Sequence, residues 1–478
     1  MRIFMLGWEF PPFIAGGLGT ACYGLTKALD RQGHEVIFVL PKPVDAAHAS
    51  HVELRSPNSL RELRRVSREV VTEHPILAQV ARAEEPLSPE RRAEFEKAVF
   101  HALPADFSSP YPSFAATSLP EGVSHATIAE LIIRAERGDA AAAQALAEMG
   151  IRRKTLTEEI EEIGEIAPGS AHYGTDLFGD AHRYARLAVA LARREQFDVI
   201  HAHDWLTYPA GMAVKAITGK PLVVHVHATE FDRSGEHVNK GVYDIERAGM
   251  HAADRLIAVS MLTKNICERR YGIPSHKIEV VYNGVDQDER QPIQAQQIGA
   301  KDKIVLFLGR ITMQKGPEYF IAAAKRVLEK VENVKFVVAG SGDLALRMIE
   351  QAAQLGIGAK VLFTGFLRGA DVERVFRMAD CYVMPSVSEP FGIAALEAMH
   401  NDTPVIISKT SGVAEVLQHA LKVDFWDVDE MANKIVAVLR YPPLSKTLRE
   451  HGAFEVRALT WDGAAQRCVQ IYRTLAGH

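Results

Sequence analysis

Arg2-Ile3-Phe4-Met5-Leu6-Gly7 opens the chain, and Gly16-Gly17-Leu18-Gly19 follows it beyond a Pro11-Pro12 break. The first stretch is short and continuously apolar, which suits a parallel strand covered on both faces. Residues 20–32 then carry Tyr23, Leu25, Ala28 and Leu29 at helical spacing, with Gly33 as the stop and Glu35–Leu40 as the next apolar run. Strand, glycine loop, helix and strand make a βαβ opening and predict an α/β fold.

Residues 42–182 interrupt this alternation. They are rich in Ala, Glu and Arg, with helical periodicity in 60–71, 89–103 and 128–149, and predict a mostly helical insertion. The prolines of 104–120 predict loop. Strand-like runs then resume at Val199–His203, 222–227 and 255–259, and 280–286 ends the series. A polar stretch, 287–301, is the linker candidate. A second series comprises Lys303–Leu308, Val334–Ala339, 361–364, 381–385 and 404–408. Two such series predict two doubly wound, Rossmann-like domains facing a cleft. The first spans 1–284 with the insertion; the second spans 285–460; a last helix covers 461–478. A ligand belongs at the carboxyl ends of the strands.

The chain has 478 residues and a net charge of -5, which gives no general pull toward nucleic acid. Cys22, Cys267, Cys381 and Cys468 lie far apart, without metal-type spacing, and read as buried thiols of a reducing, cytoplasmic compartment. The apolar start turns polar at Glu9, too soon for a signal segment. No apolar run is long enough for a transmembrane span.

The chemistry concentrates at strand ends. In Glu389-Pro390-Phe391-Gly392-Ile393-Ala394-Ala395-Leu396-Glu397, a helix begins at Gly392 and Ile393, and Glu397 lies within its first two turns. Amides and helix dipole there form an anion site; the bland alternative is a dipole-matched and a solvated glutamate. Gly309-Arg310-Ile311-Thr312-Met313-Gln314-Lys315-Gly316 follows an apolar strand and sets two cations where a diphosphate could bind. The loops at Gly17 and at Gly340-Ser341-Gly342 permit close backbone approach, but each serves equally as a tight turn. His201-Ala202-His203-Asp204 and His225-Val226-His227 place histidines two apart on strands, hence on one face. A metal there lacks a completing cysteine or carboxylate set beyond Asp204, so the expectation is one core histidine in each pair and no metal. Asp427-Val428-Asp429-Glu430 reads as a helix cap, and Asp286-Gln287-Asp288 falls at the linker.

Together these strings resemble the retaining nucleotide-sugar glycosyltransferases of the two-domain GT-B type, the group with glycogen synthases and sucrose and sucrose-phosphate synthases. The matches are Gly16–Gly19, His203-Asp204-Trp205, Asn283-Gly284-Val285-Asp286, Gly309-Arg310 with Lys315-Gly316, Gly340-Ser341-Gly342 and the Glu389/Glu397 pair, in family order. Trp8-Glu9-Phe10-Pro11-Pro12 and 201–205 look closest to glycogen synthases. Ile14 stands where bacterial and plant starch or glycogen synthases carry lysine.

The resemblance implies that Arg310 and Lys315 hold the donor diphosphate, Glu397 the ribose hydroxyls and Glu389 the transferred sugar. Gly17 and the amides of Gly392 and Ile393 would approach phosphate and sugar, with Gly340 in the same donor-binding set. His227 would contact the sugar near the anomeric carbon, beside Asp204, and Leu367 would line the base pocket. The implied reaction is metal-independent hexosyl transfer from an NDP-sugar, ADP-glucose or UDP-glucose, to an α-glucan. The alternatives are a small sugar or sugar-phosphate acceptor, an NDP-sugar epimerase and a non-catalytic sensor; a Rossmann dehydrogenase lacks its dinucleotide fingerprint. A homo-oligomer stays open.

Overall fold

The computed structural model describes residues 1–10, 16–41, 98–102, 141, 177–286, 302–367 and 369–477. Two all-parallel sheets organise them. The first has seven strands in the order β3-β2-β1-β4-β5-β6-β7: β1 (Arg2–Leu6), β2 (Glu35–Leu40), β3 (Ala98–Ala102), β4 (Val199–His203), β5 (Leu222–Val226), β6 (Arg255–Ala258) and β7 (Ile278–Val280). The second has six, in the order β10-β9-β8-β11-β12-β13: β8 (Lys303–Leu308), β9 (Val334–Ala339), β10 (Val361–Gly365), β11 (Cys381–Met384), β12 (Val405–Ser408) and β13 (Leu421–Val423).

Continuous apolar runs suit these strands because helices cover both faces. Alternate residues divide between the two sides: Phe4 and Leu6 join one core, Ile3 and Met5 the other. The second sheet is likewise sandwiched, with Val305 and Phe307 on one side and Ile304 and Leu306 on the other. The last helix, Trp461–Ala476, lies on the first sheet beside helix Gly17–Arg31. Trp461, Cys468 and Tyr472 are buried there. A Cβ on Gly24 would lie 2.3 Å from the Trp461 ring, so a larger side chain would push that helix away.

The strand order reverses between β1 and β4 and again between β8 and β11. Those two switch points are where open α/β sheets form ligand crevices. The chain passes between the lobes twice at one place. Val285 forms a parallel bridge with Thr460, and its N–H donates to the Leu459 carbonyl at 3.0 Å. A Cβ on Gly284 would stand 2.2 Å from the Thr460 carbonyl carbon, so only glycine fits between the two passages.

Three expectations need correction. The helical reading of 89–103 fails at Ala98–Ala102, which pairs in parallel with β2 from Val36 to Leu40. The open edge of β2 offers backbone partners to this segment, so tertiary context overrides the helical periodicity. The insertion end placed at about 182 falls inside helix Leu177–Ala192, whose Tyr184 and Ala188 are core residues. Strands β7 and β13, three residues each, carry too little pattern to be foreseen. The segments 60–71, 104–120 and 128–149 (save Ala141), the linker 287–301, Pro11, Pro12, Ile14 and Arg368 lie outside the described residues.

Candidate active site

Arg310 and Lys315 occupy the loop after β8, and Glu389 the loop after β11, on either side of the second switch point. The amides of Val387 and Ser388 both donate to the Gln314 carbonyl, at 2.9 and 3.4 Å, and knit the two loops together. Lys315 Nζ reaches Glu389 Oε2 at 2.5 Å, and Ser386 Oγ donates to the same oxygen at 3.1 Å. The Glu389 side chain is nearly buried and that of Lys315 half-buried. The Lys315 ammonium, the Glu389 carboxylate and the Ser386 hydroxyl therefore meet at one spot at the strand ends.

Gly392 caps helix Ile393–His400 at φ 110°, a backbone state closed to most side chains, and is packed under Met384. The first amides of that helix have no intrahelical acceptor and carry its positive dipole end. On the neighbouring loop Gly340 packs backbone against backbone on Gly309, where a Cβ would meet the carbonyl oxygen at 1.9 Å. Gly17 differs: among the described residues a Cβ there would meet nothing within 4 Å. Leu367 packs at the margin of the second core, beside the half-exposed Phe366.

Glu397 sits one turn into helix Ile393–His400. Burial, with a smaller push from the Glu373 charge, raises its carboxyl from 4.5 to about 7. In the unfolded chain this group ionises near 4.5; in the fold it keeps its proton to about 7. Between those values the folded state holds a proton that the unfolded state has released. Stability from this group therefore falls as pH rises through that window, and the loss is complete above it. Replacing Glu397 with Gln should raise the melting temperature relative to wild type at pH 8 and leave it close to wild type at pH 4.5. Equal melting shifts at both pH values would contradict this.

The first lobe contributes Asp204 and His227. Asp204 follows β4 at φ 58°, an unusual state for a non-glycine residue. Its Oδ1 accepts from the His227 amide at 2.7 Å and the Ala228 amide at 3.4 Å. Burial raises its carboxyl to about 7, against the opposing pull of Arg233 and the His227 amide. His227 is half-buried, and burial lowers its imidazole to about 3, so it is neutral near pH 7. Its Nε2 meets His203 Nδ1 at 2.9 Å.

Residues the sequence reading passed over brace this side. Helix Glu230–Ser234 begins with a Thr229/Asp232 capping box. Asp232 Oδ1 accepts from Ser388 Oγ at 2.6 Å, joining the lobes next to Glu389. Arg233 bonds Glu230 at 3.0 Å and also Glu246, all three side chains nearly buried. Glu415 of the second lobe accepts from the Met261 and Leu262 amides at 2.9 and 2.7 Å, at the start of helix Met261–Tyr271. Thr229-Glu230-Phe231-Asp232 is a legible cap sequence; Ser388, Glu246 and Glu415 carry no local signal.

The carboxylate strings expected to avoid a metal are engaged elsewhere. Asp427 Oδ1 caps Glu430 at 3.0 Å, Asp429 pairs with Arg326, and Asp286 pairs with Lys27 and Arg31.

Comparison with known proteins gives three successive family matches: Starch synthase catalytic domain over residues 2–94, Glycosyltransferase Family 4 over 140–289, and Glycosyl transferases group 1 over 288–453. An uncharacterized glycosyltransferase of Methanocaldococcus jannaschii is 34% identical over 297 residues, covering 58% of this chain and 76% of the relative. The chain belongs to the group 1 glycosyltransferases. The glycogen synthase of Mycobacterium tuberculosis is 27% identical across 99% of this glycosyltransferase and 94% of its own length. The sucrose-phosphate synthase of Thermosynechococcus elongatus superposes with a TM-score of 0.65 at 18% identity, covering 99% of both chains. Anabaena HepE, solved with UDP and glucose, superposes at 0.63 and 17% identity, over 99% of this chain and 100% of its own. These likenesses establish GT-B architecture: two parallel α/β lobes. Among the described residues, no helix is long and apolar enough to cross a membrane.

Proposed function

We propose that this glycosyltransferase moves a hexosyl unit, glucose in the leading reading, from an NDP-sugar to an α-glucan with retention of configuration. The supporting observation is the convergence of Arg310, Lys315, Glu389 and the helix start at Gly392 on one switch point. An incoming diphosphate offers Lys315 a partner in place of Glu389, freeing that carboxylate for the sugar hydroxyls. Glu397 serves the ribose, Leu367 borders the base, and Gly17 leaves room for the phosphates from the opposite lobe.

In the proposed step the bond from the anomeric carbon to the diphosphate oxygen breaks. The acceptor oxygen bonds that carbon on the same face, and its proton passes to the departing phosphate. Arg310, Lys315 and the helix dipole stabilise the negative charge that grows on the leaving group. No enzymic nucleophile is needed. Neutral His227, its main-chain amide held by Asp204, contacts the sugar without adding a positive charge beside the carbon that becomes cationic. A cytoplasmic location belongs to the same reading and is supported by the four buried, unpaired thiols.

A donor panel tests this. ADP-glucose and UDP-glucose are incubated with the protein, with and without glycogen or maltose, and released nucleotide and elongated product are measured. Glucan-dependent release supports the proposal. Turnover only with a small sugar or sugar phosphate would move the acceptor to the alternative suggested by the D-inositol 3-phosphate glycosyltransferases and mannosylfructose-phosphate synthase among the relatives. Release without acceptor would favour an epimerase or hydrolysis, and binding without turnover a sensor. The transfer chemistry is proposed to need no metal, so EDTA should leave the rate unchanged. Inhibition reversed by manganese would reject that part.

A further inference from the structure

Four imidazoles fill the space between β4, β5 and the last helix, and only one of them reaches the cleft. His201 and His203 are fully buried, and His225 is 3% exposed. The rings stack face to face, with centroids 4.3 Å apart for His201 and His203 and 5.3 Å for His203 and His225. A stack of this kind can be an ordinary polar core, provided every ring nitrogen has a partner. Here two do not. Nε2 of His203 and Nε2 of His225 are closed off from solvent and bond to nothing. Buried polar atoms without partners are rare, and a pair of them in one cluster calls for an occupant.

We propose that His201, His203 and His225 form a binding site for one first-row transition-metal ion, with zinc as the best fit. One ring nitrogen from each lies within 4.8 Å of the other two. Tetrahedral zinc with nitrogens at about 2.0–2.1 Å would draw these atoms closer, with the rings turning out of their stack, and would take water in the fourth position. Three imidazoles suit zinc, copper or nickel, whereas magnesium, calcium and manganese favour oxygen ligands.

Two of the three remaining nitrogens are arranged as a metal site requires. A ligating histidine turns its other N–H to an acceptor, which fixes ring and tautomer. His203 Nδ1 faces His227 Nε2 at 2.9 Å, and His201 Nδ1 faces Tyr472 Oη at 2.5 Å. His225 would bind through its unpartnered Nε2. The single contact that must yield is His201 Nε2 to His225 Nδ1, at 3.2 Å. The ion would lie behind His227, within the first lobe, and takes no part in the diphosphate contacts proposed for Arg310 and Lys315.

The test uses the full chain, stripped with a chelator and titrated separately with Zn²⁺ and Co²⁺. The expected results are one ion bound per chain, a Co²⁺ visible spectrum of low-coordinate nitrogen ligation, and a higher melting temperature with Zn²⁺. His225→Gln should abolish the spectrum. Tyr472→Phe removes the acceptor for His201, together with a contact to Cys468, and should weaken binding about 10–100-fold, so it carries the test if His225→Gln does not fold. His419→Gln, at the partly exposed His419/His451 stack, should change nothing. Absence of a Co²⁺ spectrum in the wild type, binding insensitive to Tyr472→Phe, or binding lost with His419→Gln would each overturn the proposal. So would a zinc-soaked crystal showing only water between the two Nε2 atoms.

Discussion

Lys315→Ala is expected to lower the transfer rate by about 10²–10³, the loss typical when one donor to a developing anion is removed. Lys315 bonds Glu389 directly and lies at the switch point of the second sheet. Its Nζ offers three donors and a point charge, which a diphosphate can take over from Glu389 without rebuilding the loop. The loop should persist in the variant, because Gln314 still receives the amides of Val387 and Ser388. The effect should appear mainly in kcat, since the charge it meets grows as the leaving group departs. Glu389→Ala should be damaging alone, and the double variant less damaging than the product of the two, because the residues share one contact. A wild-type rate in Lys315→Ala, with the protein folded, would remove Lys315 from the mechanism. Additive losses would separate it from Glu389.

The second large effect is on stability. Arg233→Ala is expected to cost about 3–5 kcal/mol, the usual penalty for leaving a buried charge without its partner. Arg233 stands between Glu230 and Glu246, both nearly buried. Glu246 also accepts from the Glu230 amide at 3.0 Å and from Tyr271 Oη, so the acids have little freedom to turn toward water. Burial already raises Glu246, and Arg233 is the main influence holding it down. Loss of the guanidinium should leave the variant least stable above neutral pH, where Glu246 must ionise, and partly rescued in mild acid. Chemical denaturation at pH 5.5 and pH 8 would show this. A loss below 1 kcal/mol at pH 8 would mean that the acids rearrange. Asp204 feels the same cation, so its carboxyl should move further up in the variant.

The parts of the molecule legible in sequence are those with local pattern. Lys303–Leu308 and Val334–Ala339 are apolar runs bounded by turns, and the structure has strands at those bounds. Arg310, Lys315, Glu389 and Glu397 stood out because each sits just beyond a strand or at a helix start. Their meeting was not legible: Lys315 and Glu389 touch across 74 positions, and only the sheet order brings their loops together. Strand β3 hid within an Ala-rich helical pattern, because its conformation depends on the edge of β2 and not on its own residues. In the sequence the histidines form two separate pairs, at 201/203 and 225/227. Adjacency of β4 and β5 turns them into one stack, with His203 opposite His225 in the register. Tyr472, which completes that stack, lies 271 residues from His201 in the chain.

The bridge between Val285 and Thr460, with Gly284 pressed on the returning backbone, works like a door hung on two pins set side by side. Twisting or sliding one leaf over the other would shear both pins, whereas swinging would strain neither much. The hydrogen bond from Ser388 to Asp232 also crosses the lobes, so swinging them apart on that side would have to break it.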